Sequence, residues 1–511
     1  MFDLNSIFSL DNTGSDEATN DGGSSDREEF MSPHSYHIPK QNYSFSKPDR
    51  PFGNVRPPSL DRLSTTIYPE QEVGQAAPDP WIEWMRDTLF PKTNEIVAGI
   101  KEATCQKRKT SAITIKWSHL LEKMCFYTFS PPQMRRYMKL YWSSWHPNCP
   151  MLHKPTFSPT NASAGLVASM VLVGASLSSE ASDKNIAKLW FNSVEEMVFD
   201  DKWLYHSPPR EREGELRNSK RLEALQAAYF ICVLQNWEGA EENWQRIRDE
   251  RHNTLVTVTR DLIRSSPNLT PVNINDPFLF DWKAFIYREV LSRTLTQVFL
   301  LDVAFFLFRD CPPKISAQEM EVDLSYPEES FQALSSKECF AMLRVHCEGT
   351  KEERLTLRSA ISSICKENLT SQFQSRLARM SIYNMFAIMS GLHSLLAQIQ
   401  ALLSYGSQLS AVEHGLRHWK ETWLSSSISL GSDPGICEVA DMWKRVGFMR
   451  HAMDSWQLAQ IFLKWAKLAE KERIANEVTF PITTKLVKLV IENCDETGTF
   501  TFQESQTVGD C

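Results

Sequence analysis

The sequence has no pair of cysteines in the CxxC spacing of zinc modules and redox motifs, although it contains eleven cysteines among 511 residues. Glycine-rich phosphate loops, the GxSxG nucleophile motif and the HExxH metalloprotease motif are also lacking. Nucleotide binding and hydrolytic catalysis therefore have no local support. The adjacent acids Asp200 and Asp201 resemble half of a diphosphate site, but Leu204 stands where a further carboxylate would be needed. We interpret this pair as solvated.

The chain also has no excess of positive charge, because its formal net charge is −8. Broad binding to nucleic acid needs clustered lysine and arginine side chains that contact phosphates, so this balance argues against it. The compact basic run is Lys107 to Lys109. Two interpretations of that run stay open, a small localisation signal and a solvated patch.

Long apolar stretches and an N-terminal leader are likewise lacking. The longest apolar runs cover residues 164–177 and 298–308, which is too short to span a bilayer, and Asp302 interrupts the second. The first twelve residues have no basic start followed by a continuous apolar core, so we expect no signal peptide. The odd, scattered cysteines predict reduced thiols, and we expect the protein in the cytosol or nucleus.

Composition divides the chain into three parts. Residues 1–78 are acidic and rich in proline, serine and glycine, which predicts a disordered tail. Its first residues alternate acidic and apolar side chains and form a candidate activation segment, with a floppy terminus as the alternative. Residues 79–496 show helical periodicity without sustained strand alternation, so we predict a large all-α body. Residues 497–511 form a C-terminal tail.

Two examples show the helical pattern. A helix is predicted to begin near Asp183, which we expect to cap its N-terminus. A second helix places five apolar side chains on one face. These are Leu222, Leu225, Tyr229, Cys232 and Val233.

The segment 135–157 begins as an amphipathic helix and ends as a proline-punctuated loop with two histidines and a cysteine. His146, Cys149 and His153 are of the residue types that bind zinc, but no fourth ligand lies near them in sequence. A site completed by a distant cysteine is the alternative. We favour an architectural role, in which Pro147 ends the helix and the loop folds back onto the body.

This segment and a second block resemble the regulatory (middle homology) domain of fungal-specific transcription factors. The first block matches that motif at His146, Pro147, Pro150, Leu152, His153, Pro155, Thr156 and Phe157. The second block matches at Trp282, Phe285, Glu289, Arg293, Phe299, Asp302, Pro312 and Pro313. It departs at Ser292, where the family often has arginine. The best match covers residues 131–335, and the helical region to about 496 fits the rest of such a domain.

The resemblance implies a nuclear transcription regulator, typically of a metabolic or secondary-metabolite gene cluster. In that family a separate N-terminal zinc module contacts DNA. The first cysteine here is Cys105, so we expect that module to be missing and expect no cofactor in this chain. The implied partners are other transcription factors or co-regulators, with dimerisation open. DNA would be reached indirectly or through a missing module, and no membrane is implied.

The signature residues have no pattern of a catalytic, cofactor-binding or metal site, and we interpret them as architectural. Glu289 and Arg293 are spaced i,i+4 with the acid first, worth about 0.2–0.5 kcal/mol if exposed. Asp302 lies in an apolar run, so a buried Asp302 must be hydrogen-bonded or paired. We predict that it anchors helix packing, with ligand sensing as the alternative.

Three interpretations remain at this point. The chain is a regulator without its own DNA-binding module, or a truncated gene model whose upstream exons encode that module. The third is a helical enzyme or scaffold that shares the fold. The lack of a catalytic constellation counts against the third interpretation, and we predict that the protein is not an enzyme.

Overall fold

The computed structural model describes residues 80–205, 214–265, 273, 276–309, 311–347, 355–400, 406–425 and 446–475. Across these ranges the secondary structure is helical, and the β-structure they contain is one isolated antiparallel bridge between Asp323 and Thr356. The predicted all-α fold is confirmed. The tails predicted at 1–78 and 497–511, and the end of the predicted body from 476 to 496, lie outside the described residues.

The helices of the N-terminal half are α1 Pro80–Met85, α2 Phe90–Cys105, α3 His119–Thr128, α4 Pro131–Leu140, α5 Ala164–Ser176, α6 Ala181–Phe199, α7 Lys202–Tyr205, α8 Gly214–Glu238, α9 Glu241–Arg246 and α10 His252–Ser265. Those that follow are α11 Trp282–Arg309, α12 Glu328–Phe331, α13 Ser336–Cys347, α14 Leu357–Ile364, α15 Ser371–Leu377, α16 Ile382–Gln400, α17 Gly406–Ser425 and α18 Ala452–Ala475. Short π-helical turns occupy Tyr141–Trp145 and Ile247–Arg251, and 3₁₀ turns occupy His146–Asn148, Lys154–Thr156, Ala317–Glu319 and Phe448–His451.

Helix α5 lies at the centre of the N-terminal half and packs against α4, α6 and α8. Its side chains from Leu166 to Ser176 are buried. Gly174 allows the close crossing of α4 and α5, because a Cβ atom there would overlap the backbone carbonyl of Tyr137. The five apolar residues predicted to share a face of α8 are all buried, but so is every residue from Ala224 to Asn236, so this stretch is buried on all sides rather than on one face.

Asp183 does not cap a helix, so that prediction was wrong. Helix α6 begins at Ala181, with Glu180 at the capping position. Asp183 is instead buried and accepts hydrogen bonds from the Tyr137 hydroxyl at 2.9 Å and the Ser178 hydroxyl at 2.5 Å. The sequence identifies a polar residue near a helix start, but only the fold shows that its partner is Tyr137 on α4.

The two most apolar long helices, α11 and α16, form the core of the C-terminal half. Both are long and apolar enough to cross a membrane, but 89% and 83% of their apolar windows are buried inside the protein. The apolar run at 298–308 is the last part of α11, which is 28 residues long. Helix α16 packs against α11, α17 and α18, so this apolar surface is covered by other helices.

Candidate functional site

The first signature block begins where α4 changes its helical geometry. The α-helix ends at Leu140, earlier than predicted, and a π-helical turn and a 3₁₀ turn continue the chain to Asn148. Pro147 lies in the 3₁₀ turn, where its missing N–H costs no α-helical hydrogen bond. These turns bury Trp145 and His146, so the block enters the core rather than the solvent.

Arg293 on α11 lies at the centre of the candidate site, and its side chain is 1% exposed. Its Nη1 atom donates to the backbone oxygen of Pro150 at 3.0 Å and to the Glu328 carboxylate. Its Nη2 atom donates to the backbone oxygen of Tyr326 at 2.9 Å. The guanidinium also stacks over the Phe331 ring, 4.1 Å from the ring centroid. One side chain therefore joins the loop of the first signature block, residues 146–157 (the signature loop), to the 326–331 segment.

Glu289 completes this buried charge cluster. Its side chain is 1% exposed and lies one turn before Arg293, with Oε2 at 3.4 Å from Arg293 Nε. The same oxygen accepts a hydrogen bond from the Tyr326 backbone N–H at 3.0 Å. Burial alone would lower the pKa of Arg293, but the Glu328 and Glu289 carboxylates outweigh it and raise that pKa. Arg293 is thus a buried cation. The value of about 0.2–0.5 kcal/mol given above holds for an exposed Glu289–Arg293 pair and does not apply to this buried one.

The two signature histidines pack into aromatic surroundings. The His153 ring lies edge-on to Trp282, with centroids 6.0 Å apart, and its Nδ1 is 2.7 Å from the Thr156 hydroxyl. The His146 ring packs 4.9 Å from that of Trp142. Burial, followed by the Arg293 charge, lowers the pKa of His146 to about 3. Burial also lowers the pKa of His153 to about 4, although backbone hydrogen bonds to Ala333 and Phe331 oppose that shift. Both rings are therefore neutral at neutral pH.

The third member of the possible zinc set, Cys149, is fully buried beside Tyr229. Burial raises the pKa of its thiol well above the usual range, which opposes formation of the thiolate that binds zinc. Across the described ranges, no group of three or more His, Cys, Asp and Glu side chains is arranged to hold a metal ion. That no zinc binds here stays a prediction for elemental analysis.

Asp302 forms a second anchor on α11, nine residues after Arg293. Its carboxylate accepts the backbone N–H groups of Lys314 at 3.0 Å and Ile315 at 2.7 Å. These residues directly follow Pro312 and Pro313, which stiffen the chain leaving α11. Mainly because it is buried, the pKa of Asp302 is raised to about 6, although the two backbone donors oppose that shift. Asp302 thus holds the returning loop against the helix.

The remaining signature residues lie around these anchors. Pro155 lies in the 3₁₀ turn Lys154–Thr156. Phe157 is only partly buried and packs edge-on against Trp142, with centroids 5.6 Å apart. The segment just before Pro155 is held by Gln332, whose side chain donates to the Leu152 oxygen at 3.1 Å and accepts from the Lys154 N–H at 3.0 Å.

The signature loop also binds a segment 300 residues later in the chain. Gly447 donates its N–H to the Pro147 oxygen at 3.2 Å, and Phe448 donates its N–H to Asn148 Oδ1 at 2.8 Å. A Cβ atom at Gly447 would clash with the Pro147 oxygen, so this close approach requires glycine. Sequence reasoning did not find this contact, because no local pattern relates these distant segments.

Another charge cluster that the sequence does not reveal is centred on Glu195 of α6. Its side chain is 1% exposed and is paired with Arg246 at 2.6 Å and Arg251 at 2.8 Å. The π-helical turn Ile247–Arg251 separates the two arginines by five residues and lets both reach the same carboxylate. No short-range spacing could predict pairs that are 51 and 56 residues apart.

The charged signature groups are thus directed at one another and at backbone atoms. The structure brings His146, Pro150, Glu289 and Arg293 into one region, with Trp282 against the neighbouring His153. It binds Asp302 to the two residues that follow Pro312 and Pro313. The donors and acceptors described above hold helices and loops together. This arrangement can maintain a fold, and its polar groups are not arranged as a nucleophile and its general base.

Comparison with known proteins agrees with this picture. Residues 138–425 match the family model described as fungal specific transcription factor domain. The chain is 32% identical over 451 residues to "Transcription factor verF" of Penicillium polonicum, covering 86% of this chain and 61% of that protein. It is 24% identical over 210 residues to "Zinc finger protein zas1" of Schizosaccharomyces pombe, covering 40% of this chain and 22% of that protein.

No solved structure matches the chain. The chain spans about 61% of the length of the Penicillium relative and a smaller part of the yeast one. The family match covers more than half of the sequence and contains both signature blocks. It begins at residue 138 rather than at the predicted 131 and ends at 425, well beyond the predicted end at 335. The chain belongs to the fungal specific transcription factor domain family.

Proposed function

We propose that this protein is a nuclear regulator of transcription that controls a metabolic or secondary-metabolite gene cluster. The observation that carries the proposal is the family match over residues 138–425, which contains the buried Arg293 cluster and both signature blocks. The names of both relatives agree with it, since one is a transcription factor and the other a zinc finger protein.

The described helices support a regulatory body rather than a DNA-reading surface. The chain is net acidic at −8, whereas DNA binding needs basic groups that displace counterions from phosphates. We therefore propose that it reaches DNA through other transcription factors or co-regulators, or through a zinc-finger module outside these 511 residues. In this role the protein is not an enzyme and holds no cofactor of its own.

Two experiments test the role and the route to DNA. Deletion of the gene, followed by transcript sequencing, should change the levels of a defined set of messenger RNAs, and re-expression of the gene should restore them. The purified 511-residue chain should show no sequence-specific footprint on promoters of those genes at physiological salt, because its net charge is −8 and its compact basic run has three residues.

The two results separate the alternatives. Unchanged transcripts after deletion would refute the regulatory role and favour a scaffold that shares the fold. A defined footprint by the purified chain would leave the regulatory role intact but refute the proposed route through partners or an additional module.

A further inference from the structure

A groove lies between α8 and α11 on the side of the signature loop. The two helices touch where Gln226 Nε2 donates to the Thr294 hydroxyl at 3.0 Å, and the groove lies on the N-terminal side of this contact. The signature loop and residues 161–166 form the remaining walls. The volume of the groove is about 450 Å³, which is within the usual range of small-molecule sites.

Each of the two helices presents one face to the groove. The lining residues of α8 and those of α11 are both spaced i, i+3, i+4 and i+7, which places each set on a single side of its helix. The set on α8 is Ser219, Leu222, Glu223 and Gln226, and the set on α11 is Lys283, Ile286, Tyr287 and Val290. The face of α11 from Lys283 to Val290 is about 10 Å long. The groove therefore favours an elongated ligand that lies along α11.

Apolar side chains with exposed surface line this groove. Ile286 and Val290 are half-buried, whereas residues 291–303 of the same helix are all buried. Phe157 of the signature loop is half-buried as well and lies in the same groove. An apolar ligand would remove the exposed surface of these three side chains from water, and such burial is favourable. The incomplete burial of Phe157 thus has an explanation in ligand binding.

One charge in the groove has no counter-charge. Lys283 is exposed, and its side chain has neither an ion pair nor a hydrogen bond with the described residues. The acidic residue of the groove, Glu223, accepts the backbone N–H of Ser163 at 2.9 Å and lies 3.6 Å from the Lys220 ammonium. The carboxylate of the groove is therefore paired already, whereas its lysine is free to attract an anion.

We propose that this groove, which we call the Lys283 groove, binds an amphipathic monocarboxylate with an apolar body about 10 Å long. The carboxylate pairs with the Lys283 ammonium, and the body packs against Phe157, Ile286 and Val290. A second carboxylate on the ligand is disfavoured, because the Glu223 charge repels it. This inference concerns binding by the purified chain, so it stands or falls separately from the proposed role in transcription.

Phenylbutyrate is a suitable probe, because it carries one carboxylate on an elongated apolar body. Phenylbutanol keeps that body without the charge, and phenylbutylamine reverses the charge. Saturation-transfer NMR of the purified chain measures the three affinities. The acid should bind about fivefold more tightly than the alcohol, as expected for a solvent-accessible ion pair, and the amine should bind more weakly than the alcohol. In about 1 M salt the acid should lose this advantage, because the charges are screened.

Two variants locate the site. Lys283→Met removes the charge from a side chain of similar shape, so the acid should then bind no better than the alcohol. Lys337→Met is the matched control, because Lys337 is also exposed but lies outside the Lys283 groove, and it should leave the affinities unchanged. Val290→Trp fills part of the groove and should weaken the binding of the acid and the alcohol alike.

Three results would overturn the proposal. Failure of the acid to bind the unmodified chain would refute the site. Equal binding of the acid and the alcohol at low salt, unchanged by Lys283→Met, would refute the role of the lysine. Full binding by a folded Val290→Trp variant would place the site elsewhere. If Val290→Trp does not fold, the comparison of Lys283→Met with Lys337→Met decides, because replacing an exposed lysine leaves the fold intact.

Discussion

The guanidinium of Arg293 donates a hydrogen bond to the backbone oxygen of Pro150, 143 residues earlier in the chain, at 3.0 Å. This bond joins the two blocks by which the sequence resembles its family. The arginine side chain is buried with Glu289, and the Tyr383 hydroxyl of α16 donates to the Arg293 backbone oxygen at 3.2 Å. Three parts of the domain that are far apart in sequence therefore depend on the position of one residue.

Acidification should destabilise the protein through its buried histidines. His146 has its pKa lowered to about 3 by burial, then by the Arg293 charge, whereas an unfolded histidine titrates near 6.5. Below pH 6.5 the unfolded chain gains a proton that the folded chain does not, so the free energy of unfolding falls until the pH passes the folded pKa.

The variant His146→Gln should therefore lose about 2 kcal/mol less free energy of unfolding between pH 7 and pH 5 than the wild type. Denaturant unfolding at both pH values measures this slope. His119→Gln is the control, because His119 is exposed. Equal slopes in wild type and His146→Gln would show that His146 does not control acid stability.

Trp145→Ala and Phe157→Ala should differ in their effects on stability. Trp145 is 6% exposed, so its removal should lower the free energy of unfolding by about 3–5 kcal/mol. Phe157 is only partly buried, so Phe157→Ala should lower the free energy of unfolding by less than Trp145→Ala does. Thermal melting of both variants checks this order, and an equal or larger loss for Phe157→Ala would contradict the packing described here.

Gly447→Val should detach the 446–448 segment from the signature loop. A side chain at this position meets the Pro147 oxygen and the Asn148 side chain, so the hydrogen bonds to that loop must break. Limited proteolysis should then cleave near Phe448 faster than in the wild type. Met449→Leu keeps the Gly447 backbone and serves as the control. Unchanged cleavage would refute a required close contact.

Purified protein should contain no stoichiometric zinc. Burial holds the Cys149 thiol protonated, and His153 is engaged with Thr156 and two aromatic rings. Elemental analysis of the 511-residue chain measures the metal content directly. Zinc at one equivalent that disappears in His153→Ala would show that the first signature block is a metal site after all.

The fold class was predictable because apolar residues recur at helical spacing without strand alternation. In α8 the apolar residues from Leu222 to Val233 follow that spacing and form a helix, but the structure buries the intervening residues too, so the spacing predicted the helix and not which side of it is buried. Helix ends were less predictable, as Asp183 shows. A polar side chain before a helix is equally suited to capping and to a distant partner such as Tyr137, and only packing decides between them.

The candidate site was predictable in its residues but not in its geometry. The sequence suggested that Glu289 and Arg293 pair along one helix, and they do. It gave no indication that Pro150, Tyr326 and Phe331 surround the same guanidinium, because hydrogen bonds to backbone atoms depend on chain path rather than residue type. The Glu195 cluster was missed because its two arginine partners lie 51 and 56 residues away in the chain.

The thermal stability of Arg293→Met tests most directly the claim that the signature residues build the domain. Removing the guanidinium leaves the buried Glu289 carboxylate without its cation, and breaking a buried ion pair in this way costs about 3–5 kcal/mol. The control Arg358→Met removes a surface ion pair with Glu321, whose partners are 45% and 48% exposed, and should cost at most about 1 kcal/mol.

Melting of the two purified variants beside the wild type gives the answer. The account predicts a large drop in melting temperature for Arg293→Met and almost none for Arg358→Met. An Arg293→Met protein that melts with the wild type, yet no longer restores transcripts in the deletion strain, would contradict the account and make Arg293 part of a recognition site.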